Sequence, residues 1–211
     1  MQQPILSLNH HCESNSRIFC FQIPINCPIC LQTLDQNEIQ VRTLPNPLKP
    51  ATQGRCSVAI RPTKGNFLTD YHNSSDLHIC LITSDGRIAE FDTNGARMND
   101  DINQWKSSLI IRMFDQLSWQ LCRSWDEQLE QFTQQDRWHS TKYDEQKNNC
   151  FDFVLQFLRS LNIELLEPWI ESKTKFCEHF IVPRTKLLAR YISLFRKLQA
   201  EQLVMLRVEE Q

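Results

Sequence analysis

Apolar residues recur at spacings of three and four between about Asp115 and Gln134, at Leu117, Leu121, Trp125, Leu129 and Phe132, and predict a helix with one buried face. Phe151, Val154, Leu155, Leu158 and Leu161 form a second stripe, which predicts a helix opening at Asn148-Asn149-Cys150. A third helix is expected from Val182-Pro183-Arg184-Thr185 onward, with Pro183 setting its entry and Leu187, Leu188, Tyr191, Ile192, Phe195 and Leu198 on its apolar side. Alternation with period two marks Arg17–Ile23, Cys56–Ile60 and both arms of His78–Phe91 as strands. Asp85-Gly86 between those arms is a two-residue hairpin signal; it sets Leu81 opposite Glu90 and leaves His78 about one diagonal step further along. The rest of the body reads as mainly helical. The expected class is α+β, with a small antiparallel sheet packed against helices.

Punctuation divides the chain. Pro45-Asn46-Pro47-Leu48-Lys49-Pro50 is rich in breakers and separates a Cys-rich head, residues 1–44, from a body, residues 55–211, through a linker at 45–54. A chain of 211 residues that is 41% hydrophobic supports one ordinary domain and a small appendage. Its net charge of -2, without a basic cluster interleaved with aromatics, argues against nucleic acid as a partner. The segment Met1–Leu6 lacks the charged and apolar regions of a secretory signal, and no apolar run approaches the ~18 residues of a membrane span. The expectation is a soluble intracellular protein, cytoplasmic or nuclear. Nine cysteines in that compartment read as metal ligands, a nucleophile and buried thiols rather than a disulfide framework.

Cys150 carries the sharpest chemical signal. Two cap-forming asparagines place its sulfur at a helix N-terminus, where unpaired amide N–H groups and the helix dipole stabilise a thiolate and any oxyanion formed beside it. A nucleophilic thiol needs a base, and His78 on the first hairpin strand is the candidate, with Glu90 on the return strand to orient it. Asn149 is the candidate oxyanion donor, alongside backbone amides. His139 is the rival base, and the neighbouring Trp138 reads as a residue packed in a turn. The bland account treats Cys150 as a small buried hydrophobe and His78 as a satisfied strand residue.

The head holds Cys12, Cys20, Cys27 and Cys30, of which Cys27-Pro28-Ile29-Cys30 is a tight C-x-x-C. A segment this short buries little core without a staple, so a structural Zn²⁺ in a zinc-ribbon-like head is expected on these four thiolates. His10 and His11 compete as imidazole ligands, and His11 is the substitute if Cys20 is only a strand residue.

His78, the Asp85-Gly86 turn, a polar residue at Glu90 and Asn149-Cys150-x-x-Phe153-Val154 resemble, in order and spacing, the circularly permuted papain-like group that includes the lecithin:retinol acyltransferase relatives. Cys12, Cys20, Cys27-Pro28-Ile29-Cys30, Arg61-Pro62-Thr63-Lys64-Gly65-Asn66-Phe67-Leu68, Asp76-Leu77-His78, Asn149-Cys150 and Val182-Pro183-Arg184-Thr185 are similar to the makorin opposite-strand family over nearly the whole chain. The first resemblance implies a permuted papain-like core and a thiol-dependent hydrolase or acyltransferase acting on an acyl, peptide or isopeptide carbonyl. Its pattern is departed from at Glu90, where those enzymes have a second His, and at Asp152, near where they often carry His; no C-terminal membrane anchor follows. The alternative function is a non-catalytic interaction module that keeps the scaffold and uses the zinc head and C-terminal helix to bind a protein.

Overall fold

The computed structural model describes residues 3–10, 12–13, 15–35, 39–99 and 103–207. The chain divides into two units, Met1–Pro47 with Ala189–Gln211 and Leu48–Leu188. The sequence reading placed the whole of 55–211 in one domain; here the last segment clusters with the head.

In the first unit, strands β1 (Leu6–Asn9), β2 (Ser16–Cys20) and β3 (Gln40–Thr43) are joined by β10 (Leu203–Arg207) in the antiparallel order β10-β2-β1-β3. Leu203 pairs with Cys20 and Arg207 with Ser16, so β2 is an interior strand and gains a neighbour from the far end of the sequence. Leu8, Ile18, Cys20, Cys27, Leu34 and Ile39 form its small core, and β3 is exposed along its length as a polar edge.

The second unit is built on a six-stranded antiparallel sheet of β4 (Leu48–Lys49), β5 (Ser57–Pro62), β6 (Leu77–Ile82), β7 (Ile88–Asp92), β8 (Gly95–Asn99) and β9 (Ser108–Arg112), in the order β4-β9-β5-β6-β7-β8. Strands β8, β9 and β10 correct the expectation that the rest of the body is mainly helical: they are short, and their register comes from neighbours rather than from a long alternating pattern. Nearly every residue of β5 and β6 is buried, as befits central strands.

Helix α1 (Trp119–Thr133) starts later than expected because the Ser118 hydroxyl accepts from the Leu121 N–H at 3.1 Å and caps it; Leu117 therefore lies outside the helix and exposed. Helix α2 (Cys150–Ser160) lies against β6 and β7. Phe153 and Phe157 of α2 meet Trp125, Phe132, Trp138 and Phe91 in an aromatic cluster with centroid separations of 4.9 to 6.0 Å. Trp138 is buried there, as its turn-packing reading expects.

Short helices α3 (Glu167–Ile170) and α4 (Lys173–Phe176) lead through a π-helical turn, Cys177–Ile181, into α5 (Val182–Glu201). Pro183 thus sits in the first turn of α5 but does not begin the helical run, and Leu187, expected on the apolar side, is 61% exposed. A proline, which has no N–H to donate, is tolerated in a first turn.

The β6–β7 hairpin differs from expectation in one decisive respect. Thr83 and Arg87 close a three-residue loop, Ser84-Asp85-Gly86, with the Thr83 N–H donating to the Arg87 carbonyl at 2.9 Å. Gly86 adopts φ +89°, the left-handed residue that such loops require. An odd loop length changes the parity of the pairing, so Cys80, not Leu81, stands opposite Glu90. His78, Cys80 and Glu90 consequently share one face of the sheet. Asp126 of α1 holds this loop by accepting from the Ser84 N–H at 2.8 Å and from its hydroxyl.

Candidate active site

Asn149 caps α2 as the sequence requires. Its Oδ1 accepts from the N–H groups of Phe151 (2.9 Å) and Asp152 (3.4 Å), and Asp152 Oδ2 accepts from the Asn149 N–H (3.0 Å), completing a capping box. Asp152 therefore has a structural task at the helix start. Asn149 Nδ2 donates to the Glu145 carbonyl at 2.7 Å and Asn148 Nδ2 to the Lys142 carbonyl at 2.8 Å, which ties the preceding loop to the cap. Both ends of the Asn149 side-chain amide are thus engaged at the helix start. Among the described residues, the Cys150 N–H has no hydrogen-bond partner.

Cys150 and His78 come together closely enough that the thiol helps to raise the imidazole pKa, and His78 Nε2 donates to Glu90 Oε2 at 3.1 Å. With Nε2 committed to Glu90, Nδ1 is the nitrogen left for the thiol. Burial disfavours a charged imidazole, but the hydrogen bonds to Cys150 and Glu90 outweigh it and raise the His78 pKa to about 9. Burial likewise works against the Glu90 carboxylate, yet the hydrogen bond from His78 and the charge of Arg97 hold its pKa below the ordinary value. Burial raises the Tyr143 pKa, and its nearness to Cys150 adds to the shift.

Residues the sequence reading missed complete the set. Arg97 Nη2 donates to Glu90 Oε1 at 2.8 Å, Trp105 Nε1 donates to Glu90 Oε2 at 3.3 Å, and the Arg97 guanidinium also grips Asp92 at 2.7 and 2.8 Å. Arg61 pairs across the strands with His78 and lays its guanidinium over the Trp105 ring at 5.0 Å. The next hairpin turns at Thr93-Asn94, between paired Asp92 and Gly95, and so sets Glu90 opposite Arg97; a turn read at Asn94-Gly95 would have set Glu90 opposite Asn99 instead. His78, Glu90 and Asp92 lie close enough to share a metal, but the two carboxylates already share Arg97, which fits a cation-neutralised network better than a metal centre. His139 is exposed and caps its own turn, accepting from the Thr141 N–H at 3.4 Å; it takes no part in this network.

The pair is enclosed. Cys150 and His78 are each 6% exposed, and neither lines the cavities of about 750, 400, 410 and 460 Å³ found elsewhere on the two units.

In the smaller unit, His10, Cys12, Cys27 and Cys30 converge, with all four ligand atoms within 4.8 Å of one another. This group could hold a metal ion. Cys20, expected as a ligand, is instead a β2 residue 1% exposed in the core, and His10 takes its place; His11 lies outside the described residues. The strand explains the exchange: β2 directs the Cys20 side chain into the apolar cluster with Leu8 and Ile18.

A family model, DUF4796 C-terminal, matches residues 41–198. The chain belongs to that family. The matched DUF4796 C-terminal segment contains all of His78, Glu90, Arg97 and Cys150, whereas the His10, Cys12, Cys27 and Cys30 cluster precedes it. The human MKRN2 opposite strand protein is 28% identical over 192 residues, which cover 90% of this chain and 84% of that relative. The similarity agrees with the makorin opposite-strand motifs in the sequence. No solved structure matches the chain. Among the described residues, no helix is long and apolar enough to cross a membrane.

Proposed function

We propose that this protein is a thiol-dependent hydrolase or acyltransferase on a permuted papain-like core, acting on an acyl, peptide or isopeptide carbonyl. The observation that carries the reading is His78 beside both Cys150 and a buried carboxylate, with Nε2 3.1 Å from Glu90 and the thiol near enough to raise the imidazole pKa. With the proton of the pair already on His78, the Cys150 sulfur attacks the carbonyl carbon and the carbonyl π pair moves onto oxygen. Of the donors expected for that oxyanion, Asn149 or the backbone amides at the head of α2, the Cys150 N–H is the one this reading favours, because the Asn149 side chain holds the helix start. Collapse of the adduct expels the leaving group, which takes the proton from His78 and leaves a thioester on Cys150. Water or a second nucleophile then releases the acyl group.

Labelling with an iodoacetamide probe at pH 6, read cysteine by cysteine, tests this. Cys150 should react ahead of the other eight cysteines, and His78→Ala should remove the advantage. The low exposure of the pair favours a second reading, a non-catalytic interaction module that keeps the same triad as structure. Cys150 silent in the folded protein while the partly exposed Cys122 reacts would select that module.

For the head, we propose a structural Zn²⁺ held by His10 Nδ1 and the thiolates of Cys12, Cys27 and Cys30. Zn–S bonds of about 2.3 Å and Zn–N bonds of about 2.0 Å at tetrahedral angles require S···S and S···N edges of roughly 3.8 and 3.5 Å. The Cys12–Cys27 and Cys30–His10 separations are 3.7 and 3.5 Å, which supports that geometry. Four protein ligands close the site, so the metal would staple the head without supplying chemistry. About one equivalent of zinc is expected in protein purified under reducing conditions. Loss of that metal in Cys27→Ser and His10→Ala, but not in Cys20→Ser, would support the ligand set; a metal-free wild type would reject it.

A further inference from the structure

We infer that Arg97, held by Asp92, is a positioning residue that keeps Glu90 ionised, so that the proton of the reaction moves between Cys150 and His78 and not between His78 and Glu90. The inference rests on the thiol-dependent reading above. Glu90 is 1% exposed, and a carboxylate that buried favours its neutral form unless a charge opposes it. Oε2 receives His78 and Trp105, which leaves Oε1 to Arg97. Trp105 brings no charge, and His78 brings one only while it holds the proton that catalysis requires it to release. Arg97 is charged throughout the cycle.

Asp92 supplies the alignment. Nη1 and Nη2 of Arg97 reach Oδ1 and Oδ2 of Asp92 at 2.7 and 2.8 Å, and Nη2 also donates to Glu90 at 2.8 Å. The fork is thereby fixed in the plane that serves both carboxylates. The β7–β8 register does the rest, since Glu90 and Arg97 are direct cross-strand partners.

The charged and titratable groups around His78 are Arg61 from β5, Cys80 on its own strand, Glu90 and Asp92 from β7, Arg97 from β8 and Cys150 from α2. Arg61 feels the Glu90 charge but makes no hydrogen bond to it: its guanidinium donates to the Pro62 and Thr63 carbonyls and to Gln104 Oε1 at 2.8 Å. Without Arg97, the His78–Glu90 pair can relax to a neutral imidazole beside a carboxylic acid, the state that a low-dielectric interior favours. The imidazolium that would stabilise the Cys150 thiolate is then lost.

The test follows the Glu90 carboxyl carbon by NMR across pH in wild type, Arg97→Gln and Arg97→Lys, together with the iodoacetamide rate at Cys150. In wild type Glu90 should titrate below the ordinary carboxylate range. Arg97→Gln should raise its midpoint by about one pH unit or more and slow Cys150 alkylation at pH 6 about tenfold. Arg97→Lys keeps the charge but loses the fork, and should give a smaller rise of the same sign. A folded Arg97→Gln protein whose Glu90 titrates as in wild type would overturn the inference; if that variant does not fold, the same result in folded Arg97→Met would do so. The carboxyl titration does not depend on thiol chemistry. Failure of wild-type Cys150 to react therefore counts against the enzyme reading alone.

Discussion

Replacing Glu90 by Gln changes one oxygen for an NH₂ group at constant size, and the network around it makes the consequence calculable. The carboxylate accepts from His78, Arg97 and Trp105 while 1% exposed. Gln must turn a donor toward at least one of these donors and leaves His78 and Arg97 without a counter-charge. Removing one partner of a buried charged pair costs about 3–5 kcal/mol, and because the Arg97 side chain is 33% exposed its share is screened, which places the loss near the low end, about 3 kcal/mol. The pH dependence has a definite sign. The folded His78 pKa is raised from 6.5 to about 9, so its contribution is fully present below 6.5 and disappears as pH rises through about 9. The folded Glu90 pKa is lowered from 4.5, so its contribution is present above 4.5 and disappears as pH falls through the depressed value. Wild type should therefore exceed Glu90→Gln by the widest margin at pH 5–6, and by roughly half as much at pH 10, where Arg97 is the remaining charge on Glu90 beside the neutral Trp105 donor. Urea unfolding of both proteins at pH 6 and pH 10 measures this directly. A difference under about 1 kcal/mol at pH 6, or the same difference at both pH values, would refute the account of a charge-coupled pair.

Asn149→Ala removes the acceptor for two first-turn N–H groups and the tie to Glu145, and should cost about 1–2 kcal/mol in urea unfolding while leaving the helix count by circular dichroism nearly unchanged. Phe153→Ala empties a fully buried site against Phe91, Phe132 and Trp138, and is expected to cost about 3–5 kcal/mol by the same assay. Gly86→Ala places a Cβ 2.7 Å from the Thr52 carbonyl at φ +89° and should destabilise by about 1–3 kcal/mol; because it strains the loop that sets the parity of β6 and β7, Cys150 reactivity should fall with it.

Local features of the chain were legible wherever one stretch of sequence contains both partners of the interaction. The α2 cap is such a case: Asn149 and Asp152 are three residues apart, and their reciprocal hydrogen bonds need nothing else. The apolar stripes of α1 and α2 were likewise readable, because helical geometry alone carries Trp125, Leu129 and Phe132, or Val154, Leu155 and Leu158, to one side. His78 and Glu90 could be paired as candidates from their positions on one hairpin. Their actual meeting was not determined there, since a two-residue turn at Asp85-Gly86 sends Glu90 to the face opposite His78.

The longer loop prevails in the folded protein, where Asp126 on α1 binds Ser84 and the Thr52 carbonyl leaves room only for a glycine at position 86. Those partners lie more than thirty residues from the turn in each direction, beyond the reach of any local pattern. The same reasoning explains the head. A C-x-x-C is visible in sequence, but whether His10 or Cys20 joins it depends on β2 pairing with β1 on one side and β10 on the other, which turns Cys20 inward. Spacing along the chain names the residue types able to do the chemistry. Side-chain direction, which a one-residue shift in strand register reverses, is set by contacts that only the folded chain brings together.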